Sequence, residues 1–316
     1  MECKPTVCYQ PVRFNPNSCL YAKVTTMRLS VVLPAKNEAE GLARVLPQLR
    51  QAHPQAEIIV VDDGSTDSTR AVAVEHGVRV LTVPYSMGNG ASIKRGARVA
   101  GGEVIVFMDA DGQHDPAHIA TLLDKLDSGY DMVVGARNRE GQASLHRGFA
   151  NGLYNRLASW MTGHSVLDLT SGFRAVKADK FREFLHLLPN GFSYPTTCTM
   201  AFFRSGYPVA YTPVAVAKRV GTASHIRPLR DGLRFLLIIF KIATLYSPLK
   251  LFAPTGLAFF FLGAGYYGYT FATEGRFTNM SALLLSASVI VFLIGLISEQ
   301  ITALTFLSAR SGQRSE

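Results

Sequence analysis

Two long segments near the end of the chain contain no charged residue. They are residues 251–272 and 280–298, and the polar turn 273–279 joins them. A helix of about 20 apolar residues crosses about 30 Å of hydrocarbon, so both segments are long enough to span a membrane. A pair of buried core helices is the alternative, but the many Phe, Leu, Gly and Tyr residues favour two transmembrane helices. Charged residues make up only 17% of the chain, against roughly 25% in soluble domains.

Basic residues flank the outer ends of these two segments. Residues 218–250 contain seven Lys or Arg residues and one acid, Asp231, and Arg310 and Arg314 follow the second segment. Loops rich in Lys and Arg remain on the cytoplasmic side of a membrane. We therefore expect a multi-pass protein of the inner (cytoplasmic) membrane, with the preceding domain and the C-terminus in the cytoplasm.

Residues 227–248 have the pattern of an amphipathic helix that lies in the headgroup layer. At 100° per residue, Arg227, Arg230, Arg234 and Lys241 fall on one stripe, and most leucines lie outside it. An amphipathic helix packed on the domain is the alternative, but the position directly before a span favours the membrane. Lipid contact then accounts for much of the net charge of +9, and binding to nucleic acid is not needed.

The first two thirds of the chain alternate strand and helix patterns. Apolar runs of strand length occur at residues 29–33, 57–61, 78–83, 104–108 and 132–135, with helical spacing between them. Such an alternation predicts an α/β domain whose parallel sheet is covered on both faces. We divide the chain into an irregular leader (1–27), an α/β domain (28–226), the interface helix (227–248), a two-span anchor (249–310) and a tail (311–316).

Acidic and glycine-rich motifs follow four of the predicted strands, where ligands bind in open α/β sheets. Asp109-Ala110-Asp111 follows the fourth run, and two such carboxylates can share a divalent ion that also contacts phosphate oxygens. Gln113 offers a further oxygen ligand, which predicts Mg²⁺ or Mn²⁺. Asp62-Asp63 can accept hydrogen bonds from a nucleobase or ribose. The other two motifs are Pro34-Ala35-Lys36-Asn37-Glu38, which opens a helix, and Gly88-Asn89-Gly90, which suits a phosphate.

Together these motifs resemble the family 2 inverting glycosyltransferases, whose GT-A fold is α/β with a Rossmann-like, mostly parallel sheet. Residues 109–116 and Ser171-Gly172-Phe173-Arg174 further resemble the polyprenyl-phosphate sugar transferase branch, which includes dolichol-phosphate mannose synthase and undecaprenyl-phosphate glucosyltransferases. The interface helix and paired spans match the membrane-anchored members of this branch. The resemblance covers roughly residues 28–310.

The resemblance implies a role for each matching residue. Residues of the nucleoside pocket would be Pro34, Ala35, Asn37, Glu38, Asp62 and Asp63, with Gly88, Lys94 and Ala110 also lining the donor site. Asp109, Asp111 and Gln113 would hold Mg²⁺ or Mn²⁺. Arg137, Arg147 and Arg219 would bind the acceptor phosphate or the donor diphosphate. The chain departs from the family at Asn89, where a basic residue is usual, and at Ser224-His225, where Ser-Lys is usual.

The implied reaction transfers a hexose from a GDP- or UDP-linked sugar to an undecaprenyl or dolichyl phosphate. A phosphate acceptor needs no general base, because its second pKa is about 6 and it is largely ionised near neutral pH. The alternative acceptor is a hydroxyl of a membrane glycolipid or cell-surface glycan, with Asp168 or His146 as the base. Processive polysaccharide synthesis is disfavoured, because the only Trp, Trp160, follows Ser159 rather than the Gln-x-x-Arg of those enzymes.

Four further predictions concern single features of the chain. His114 and His118 are expected to have capping or surface roles, and Trp160 is expected to pack within a helix. Residues 190–197 are expected to shape the sugar pocket, so that changing Tyr194 or Thr196 alters donor choice. Small residues in the first span would allow close helix packing and hence a homo-oligomer: Gly256, Gly263, Gly265 and Gly268.

Overall fold

A computed structural model describes residues 28–137, 145–191, 193–216, 240, 244 and 246–311. The side chains of residues 145–151, 153, 154 and 306–311 lie outside this description, as do the predicted leader and most of the predicted interface helix 227–248. The described strands are β1 (Leu29–Ala35), β2 (Glu57–Asp62), β3 (Arg79–Thr82), β4 (Val104–Phe107), β5 (Met132–Arg137), β6 (Arg174–Lys177) and β7 (Val209–Val214). The described helices are α1 (Ala39–Ala52), α2 (Thr69–Glu75), α3 (Asn89–Val99), α4 (His118–Asp127), α5 (Leu145–Thr162), α6 (Ala178–Arg182), α7 (Tyr194–Arg204), α8 (Pro248–Glu274) and α9 (Asn279–Ser311).

The seven strands form one mixed sheet in the order β3-β2-β1-β4-β6-β5-β7. Strands β1 to β4 are parallel to one another, and β5 is parallel to β7. Strand β6 runs antiparallel between β4 and β5. The five predicted strands are all present, so the expected α/β fold with a mostly parallel sheet is confirmed. The carboxyl ends of β1, β2 and β4 meet at one edge, which is where the conserved geometry of such sheets places ligands.

Helices cover both faces of this sheet and bury its apolar runs. On one face, α1, α2 and α4 pack against the sheet through residues such as Leu42, Leu46 and Leu122. On the other face, α3, α5, α6 and α7 contribute residues such as Ile93 and Phe202. Because both faces are covered, β1, β2 and β4 consist almost entirely of buried residues.

The last two helices form an antiparallel hairpin, and each is long and apolar enough to cross a membrane. Only 11% and 17% of their apolar windows are buried, so they are not core helices of a soluble domain. Glycines allow the two helices to approach closely: a Cβ added to Gly263 would lie 3.0 Å from Leu284 Cβ, and one added to Gly295 would lie 2.7 Å from Phe252 Cβ. Gly265 and Gly268 have no such neighbour within 4 Å in the described part of the chain.

Candidate active site

The turns after β1 and β2 are joined by hydrogen bonds. The backbone N–H of Asn37 donates to Ser65 Oγ at 3.0 Å, and the N–H of Thr66 donates to Asn37 Oδ1 at 2.8 Å. Asn37 has a left-handed backbone conformation (φ 55°), which Asn adopts more readily than most residues. The structure therefore fixes two of the predicted nucleoside-binding segments relative to each other.

Asp67 supplies a carboxylate at the start of α1. Its Oδ2 accepts the N–H of Ala39 at 3.3 Å, and its Oδ1 accepts the N–H of Thr69 at 2.9 Å. Burial alone would raise the pKa of Asp67, but the hydrogen bonds from Thr69 and Ala39 outweigh it and lower the pKa. The N-terminal amides of α1 thus already face a carboxylate of the same chain.

Asp63 holds the loop between β3 and α3. Its Oδ2 accepts hydrogen bonds from Ser86 Oγ at 2.7 Å and from the N–H of Gly88 at 2.9 Å. Its Oδ1 accepts the N–H of Met87 at 2.7 Å, and the side chain is buried. Both oxygens of Asp63 therefore shape the Gly88 turn, whereas its contact with a nucleoside stays a prediction.

The glycines of this turn allow a second segment to lie directly on it. A Cβ at Gly88 would lie 2.5 Å from the carbonyl oxygen of Asn190, and that oxygen accepts the N–H of Ala91 at 3.1 Å. Lys94 Nζ donates to the carbonyl of Leu188 at 2.9 Å and to Asn190 Oδ1 at 2.5 Å. Burial and the charge of Arg98 lower the pKa of Lys94. Lys94 thus ties α3 to the segment before α7, and its contact with a diphosphate stays a prediction.

The Asp109-Ala110-Asp111 turn is packed against neighbours on two sides. A Cβ at Gly41 in α1 would lie 2.1 Å from the carbonyl oxygen of Ala110, so α1 begins directly against the turn. A Cβ at Gly172 would lie 2.9 Å from Asp109 Oδ2. Asp111 is 8% exposed, and its Oδ1 accepts the N–H of Gln113 at 3.1 Å. Only glycine at positions 41 and 172 leaves room for this arrangement.

The donor set of this turn fits a hard divalent cation. Asp109, Asp111 and Gln113 supply two carboxylates and one amide oxygen at the end of β4. Mg²⁺ is usually bound by one or two carboxylates together with substrate phosphates rather than by a complete protein cage. Among the described residues, no group of three or more His, Cys, Asp or Glu side chains is arranged to hold a metal ion.

Arg137 at the end of β5 forms a two-pronged ion pair with Asp168. Its Nε donates to Oδ2 at 2.8 Å and its Nη2 to Oδ1 at 3.0 Å. Oδ1 of Asp168 also accepts the backbone N–H groups of Thr170 and Ser171, each at 3.1 Å. Burial alone would raise the pKa of Asp168, but these hydrogen bonds and the charge of Arg137 lower it. The Asp168 side chain is 10% exposed and that of Arg137 is 37% exposed, so the carboxylate lies beneath a guanidinium that reaches solvent.

His114 corrects one prediction, because it is a buried residue of the site rather than a capping or surface residue. It is 7% exposed, and its ring stacks on Phe173 with centroids 4.8 Å apart. Burial, together with the charges of Arg137 and His118, lowers the pKa of His114 to about 4. His114 is therefore neutral near pH 7. Trp160 likewise differs from expectation, because it is 51% exposed.

Sequence reasoning assigned no role to Arg174, which is fully buried beneath the site. Its guanidinium donates to the carbonyl of Pro195 at 3.0 Å, to Thr199 Oγ1 at 3.2 Å and to the carbonyl of Ser171. These bonds join the start of α7 to the turn that touches Asp109. The fourth position of Ser171-Gly172-Phe173-Arg174 was the available signal, since a charged residue directly between Phe173 and the apolar pair Ala175-Val176 needs buried partners.

Tyr194 and Thr196 are buried at the start of α7, at 1% and 4% exposure. The Tyr194 hydroxyl donates to the carbonyl of Gly172 at 3.3 Å, and burial raises the pKa of Tyr194. The Thr196 hydroxyl donates to the carbonyl of Leu169 at 3.5 Å. An effect of Tyr194 on donor choice would thus act through the Gly172 turn, and an effect of either residue stays a prediction. The side chains of His146 and Arg147 and the whole of Arg219 and Ser224-His225 lie outside the described residues.

Comparison with known proteins gives two family matches. The family described as Glycosyl transferase family 2 matches residues 30–185, and the family described as GtrB C-terminal hairpin matches residues 247–304. Glycosyltransferase AglJ of Haloferax volcanii is 27% identical over 288 residues, which cover 87% of this chain and 93% of the relative.

Two bacterial relatives and a solved structure agree with these matches. Polyprenol monophosphomannose synthase of Mycolicibacterium smegmatis is 30% identical over 61% of this chain and 79% of its own length. Undecaprenyl-phosphate mannosyltransferase of Micrococcus luteus is 30% identical over 61% of this chain and 85% of its own length. Glucosyl-3-phosphoglycerate synthase of Mycobacterium tuberculosis, crystallised with Mn²⁺ and UDP, has a TM-score of 0.54 at 24% identity over 69% of this chain and 78% of its own. The chain therefore belongs to glycosyl transferase family 2 and has the GT-A fold.

Proposed function

We propose that this protein transfers a hexose from a GDP- or UDP-linked sugar to a polyprenyl phosphate, with inversion at the anomeric carbon. Two of the relatives named above are, by their names, a polyprenol monophosphomannose synthase and an undecaprenyl-phosphate mannosyltransferase. The C-terminal hairpin, whose two helices are each long and apolar enough to span a membrane, supports a position at a membrane, where such acceptors reside. We assign the domain to the cytoplasmic face of the inner membrane from the basic residues on both outer flanks of the hairpin.

The ion pair and hydrogen bonds of Asp168 are the observation that favours a phosphate acceptor over a hydroxyl acceptor. A hydroxyl acceptor needs a general base that can take up a proton. The sequence candidates were Asp168 and His146, and the side chain of His146 lies outside the described residues. Arg137 binds both oxygens of Asp168, and two backbone N–H groups bind one of them. Its lowered pKa makes it a weak base as well. A phosphate oxygen, which is already ionised, needs no such group.

The chain's own residues would then orient and stabilise the reacting groups. Asp109, Asp111 and Gln113 would hold Mg²⁺ or Mn²⁺, which offsets the negative charge that develops on the leaving nucleotide diphosphate. Arg137, held by Asp168, would present its exposed guanidinium to the acceptor phosphate or the diphosphate. Arg147 and Arg219 would add to this anion site. The donor's nucleoside would lie against these residues: Pro34, Ala35, Asn37, Glu38, Asp62, Asp63, Gly88, Lys94 and Ala110.

We also assign a role to each segment of the chain. Residues 28–226 would carry catalysis, residues 227–248 would lie in the headgroup layer, and residues 249–310 would anchor the protein. Residues 1–27 and 311–316 would be a leader and a tail outside this machinery.

A lipid-extraction assay tests the proposal directly. Purified protein is incubated with Mn²⁺ or Mg²⁺, a short-chain polyprenyl phosphate and a panel of labelled GDP- and UDP-sugars, and label is followed into the organic phase. We expect one donor to give a labelled lipid, and NMR of the product to show the anomer opposite to that of the donor. The matched control acceptor is the polyprenol of the same length without its phosphate, which should remain unlabelled.

Two results would contradict parts of the proposal. Transfer to the polyprenol, or to a glycolipid hydroxyl, with none to the phosphate would establish the hydroxyl-acceptor alternative. Full activity after removal of divalent ions with EDTA would refute the metal assignment.

A further inference from the structure

Glu299 is an acidic residue of α9, directly after the uncharged segment 280–298. It lies 20 residues after the start of α9 at Asn279, or about 30 Å along the helix axis at about 1.5 Å per residue. That length equals the thickness of the hydrocarbon core, so Glu299 lies at the membrane boundary nearest the GT-A domain. Placing an ionisable side chain in or at the end of a span costs free energy, and such residues are usually paired and in functional positions.

The partner of Glu299 belongs to the GT-A domain. Arg204, the last residue of α7, donates from Nη2 to Glu299 Oε1 at 2.8 Å. The other carboxylate oxygen, Oε2, accepts the backbone N–H of Leu249 at the start of α8 at 3.4 Å. Arg204 also donates to the carbonyl of Tyr246, just before α8. One ion pair thus joins the catalytic domain to both helices of the anchor.

Two further polar contacts cross the same junction. The Tyr246 hydroxyl donates to the carbonyl of Thr197 in α7 at 2.9 Å, and Tyr246 is 1% exposed. Lys250 Nζ donates to the carbonyl of Met161, in the last turn of α5, at 2.8 Å. A lysine at this position also complements the negative end of the α5 dipole.

Apolar packing at the junction is incomplete. A cavity of about 660 Å³ lies between α5, α7 and the domain-side ends of α8 and α9. Its lining includes Trp160, Phe203, Arg204 and Glu299. Because tight packing is what makes two bodies rigid, a junction with such a cavity relies on its polar contacts to fix the angle between domain and anchor.

We propose that the Arg204–Glu299 ion pair is a positioning pair, which fixes the orientation of the catalytic domain over the bilayer so that a membrane-embedded acceptor phosphate reaches the Asp109 turn. This inference rests on the proposed function, because it presupposes an acceptor anchored in the membrane. The inference predicts a different effect on soluble and on membrane-embedded acceptors, which a general loss of stability would not produce. An acceptor in solution approaches from any direction and does not need the domain to hold one angle, whereas an acceptor confined to the membrane plane does.

The test compares two acceptors with full-length protein in nanodiscs. One acceptor is a long-chain polyprenyl phosphate incorporated in the disc, and the other is a short-chain, water-soluble analogue. For Glu299→Gln we expect kcat with the embedded acceptor to fall roughly tenfold, because small misplacements of reacting groups cost one to two orders of magnitude. The rate with the soluble acceptor and the KM for the donor should stay within about twofold of wild type.

Matched variants separate positioning from folding. Arg204→Gln breaks the same pair from the domain side and should reproduce the effect, whereas Glu299→Asp, which keeps the charge, should recover part of the lost rate. Glu274→Gln is the control, since it removes the Arg276–Glu274 pair (3.2 Å) in the turn at the opposite end of the hairpin and should leave both rates unchanged. Each variant's thermal unfolding midpoint identifies any that fails to fold.

The outcomes are distinguishable from one another. Equal losses with both acceptors would mean that the pair acts through α7 on the site itself, and no loss in either arm would mean that the pair is dispensable; both results overturn the inference alone. Wild-type protein that transfers to neither polyprenyl phosphate would refute the proposed function, and this inference with it.

Discussion

Gly172→Ala should move Asp109, a proposed metal ligand, while leaving the fold intact. The added Cβ would lie 2.9 Å from Asp109 Oδ2 and 3.3 Å from Oδ1, both shorter than ordinary van der Waals contact. Gly172 is not among the described glycines with positive φ, so alanine meets no backbone strain there. The only clash is with the end of the Asp109 side chain, which can rotate away from it.

The size of the effect follows from this distance. Ordinary contacts begin at 3.4 Å, so Oδ2 must retreat by about 0.5 Å. Binding and catalytic constellations tolerate displacements of about 0.5 Å at most. We therefore expect kcat/KM to fall roughly tenfold, or about 1.4 kcal/mol of transition-state stabilisation, and the Mn²⁺ concentration for half-maximal rate to rise.

The assay is the rate of lipid-linked product as a function of Mn²⁺ concentration, with thermal unfolding of the same samples. Gly152→Ala is the matched control, because a Cβ there has no neighbour within 4 Å in the described part of the chain. The reasoning is refuted if Gly172→Ala is folded and has the rate and metal dependence of the wild type.

Three other changes test separate parts of the site. Asp111→Ala should abolish transfer without a change in the unfolding midpoint, since Asp111 is assigned to the metal. A variant with the activity of the wild type would contradict that role. Gly41→Ala should destabilise the protein by about 1–3 kcal/mol in thermal unfolding, because its Cβ would lie 2.1 Å from the Ala110 carbonyl oxygen and both clashing groups belong to the backbone. Asp168→Asn should lower stability at pH 7 by about 3 kcal/mol, the low end for a buried pair because Arg137 is partly exposed. Because the pKa of Asp168 is lower in the folded than in the unfolded protein, its ionised form stabilises the fold at pH values above the unfolded-state pKa. This stabilisation is lost as the pH falls through the folded-state pKa, so the variant should lose less stability than the wild type between pH 7 and pH 3. If Asp168→Asn and the wild type lose the same free energy of unfolding over that pH range, the ion pair contributes nothing to stability.

The sequence predicted the regular part of the fold because its signals are local. Strands such as Glu57–Asp62 are continuous apolar runs, and a strand buried on both faces has no other composition available. Strands β6 and β7 gave no such signal. Strand β6 is four residues long and begins and ends with a basic residue, and β7 contains Pro213, which an edge strand tolerates. Their place beside β5 is decided by pairing across the sheet.

The sequence predicts a site where function depends on residue type and position in the chain. Carboxylates at the end of a buried strand indicate a metal site, which is why Asp109 and Asp111 are predicted metal ligands. The state of a side chain depends on partners distant in sequence. Asp168 is a poor base because Arg137, 31 residues away, binds it, and His114 is buried because Phe173 stacks on it.

The sequence by itself thus determined the fold class and the two apolar helices long enough to span a membrane, since each is set by residues adjacent along the chain, and on the same local basis it predicted a metal site at the Asp109-Ala110-Asp111 turn. Only the tertiary structure decided which partners the polar side chains bind within the chain. Asp63, Lys94 and Asp168 are engaged by neighbouring segments, and Glu299 pairs with Arg204 across 95 residues. The physical reason is that hydrogen bonds, burial and charge act through space over a few ångströms, and only folding brings those partners together.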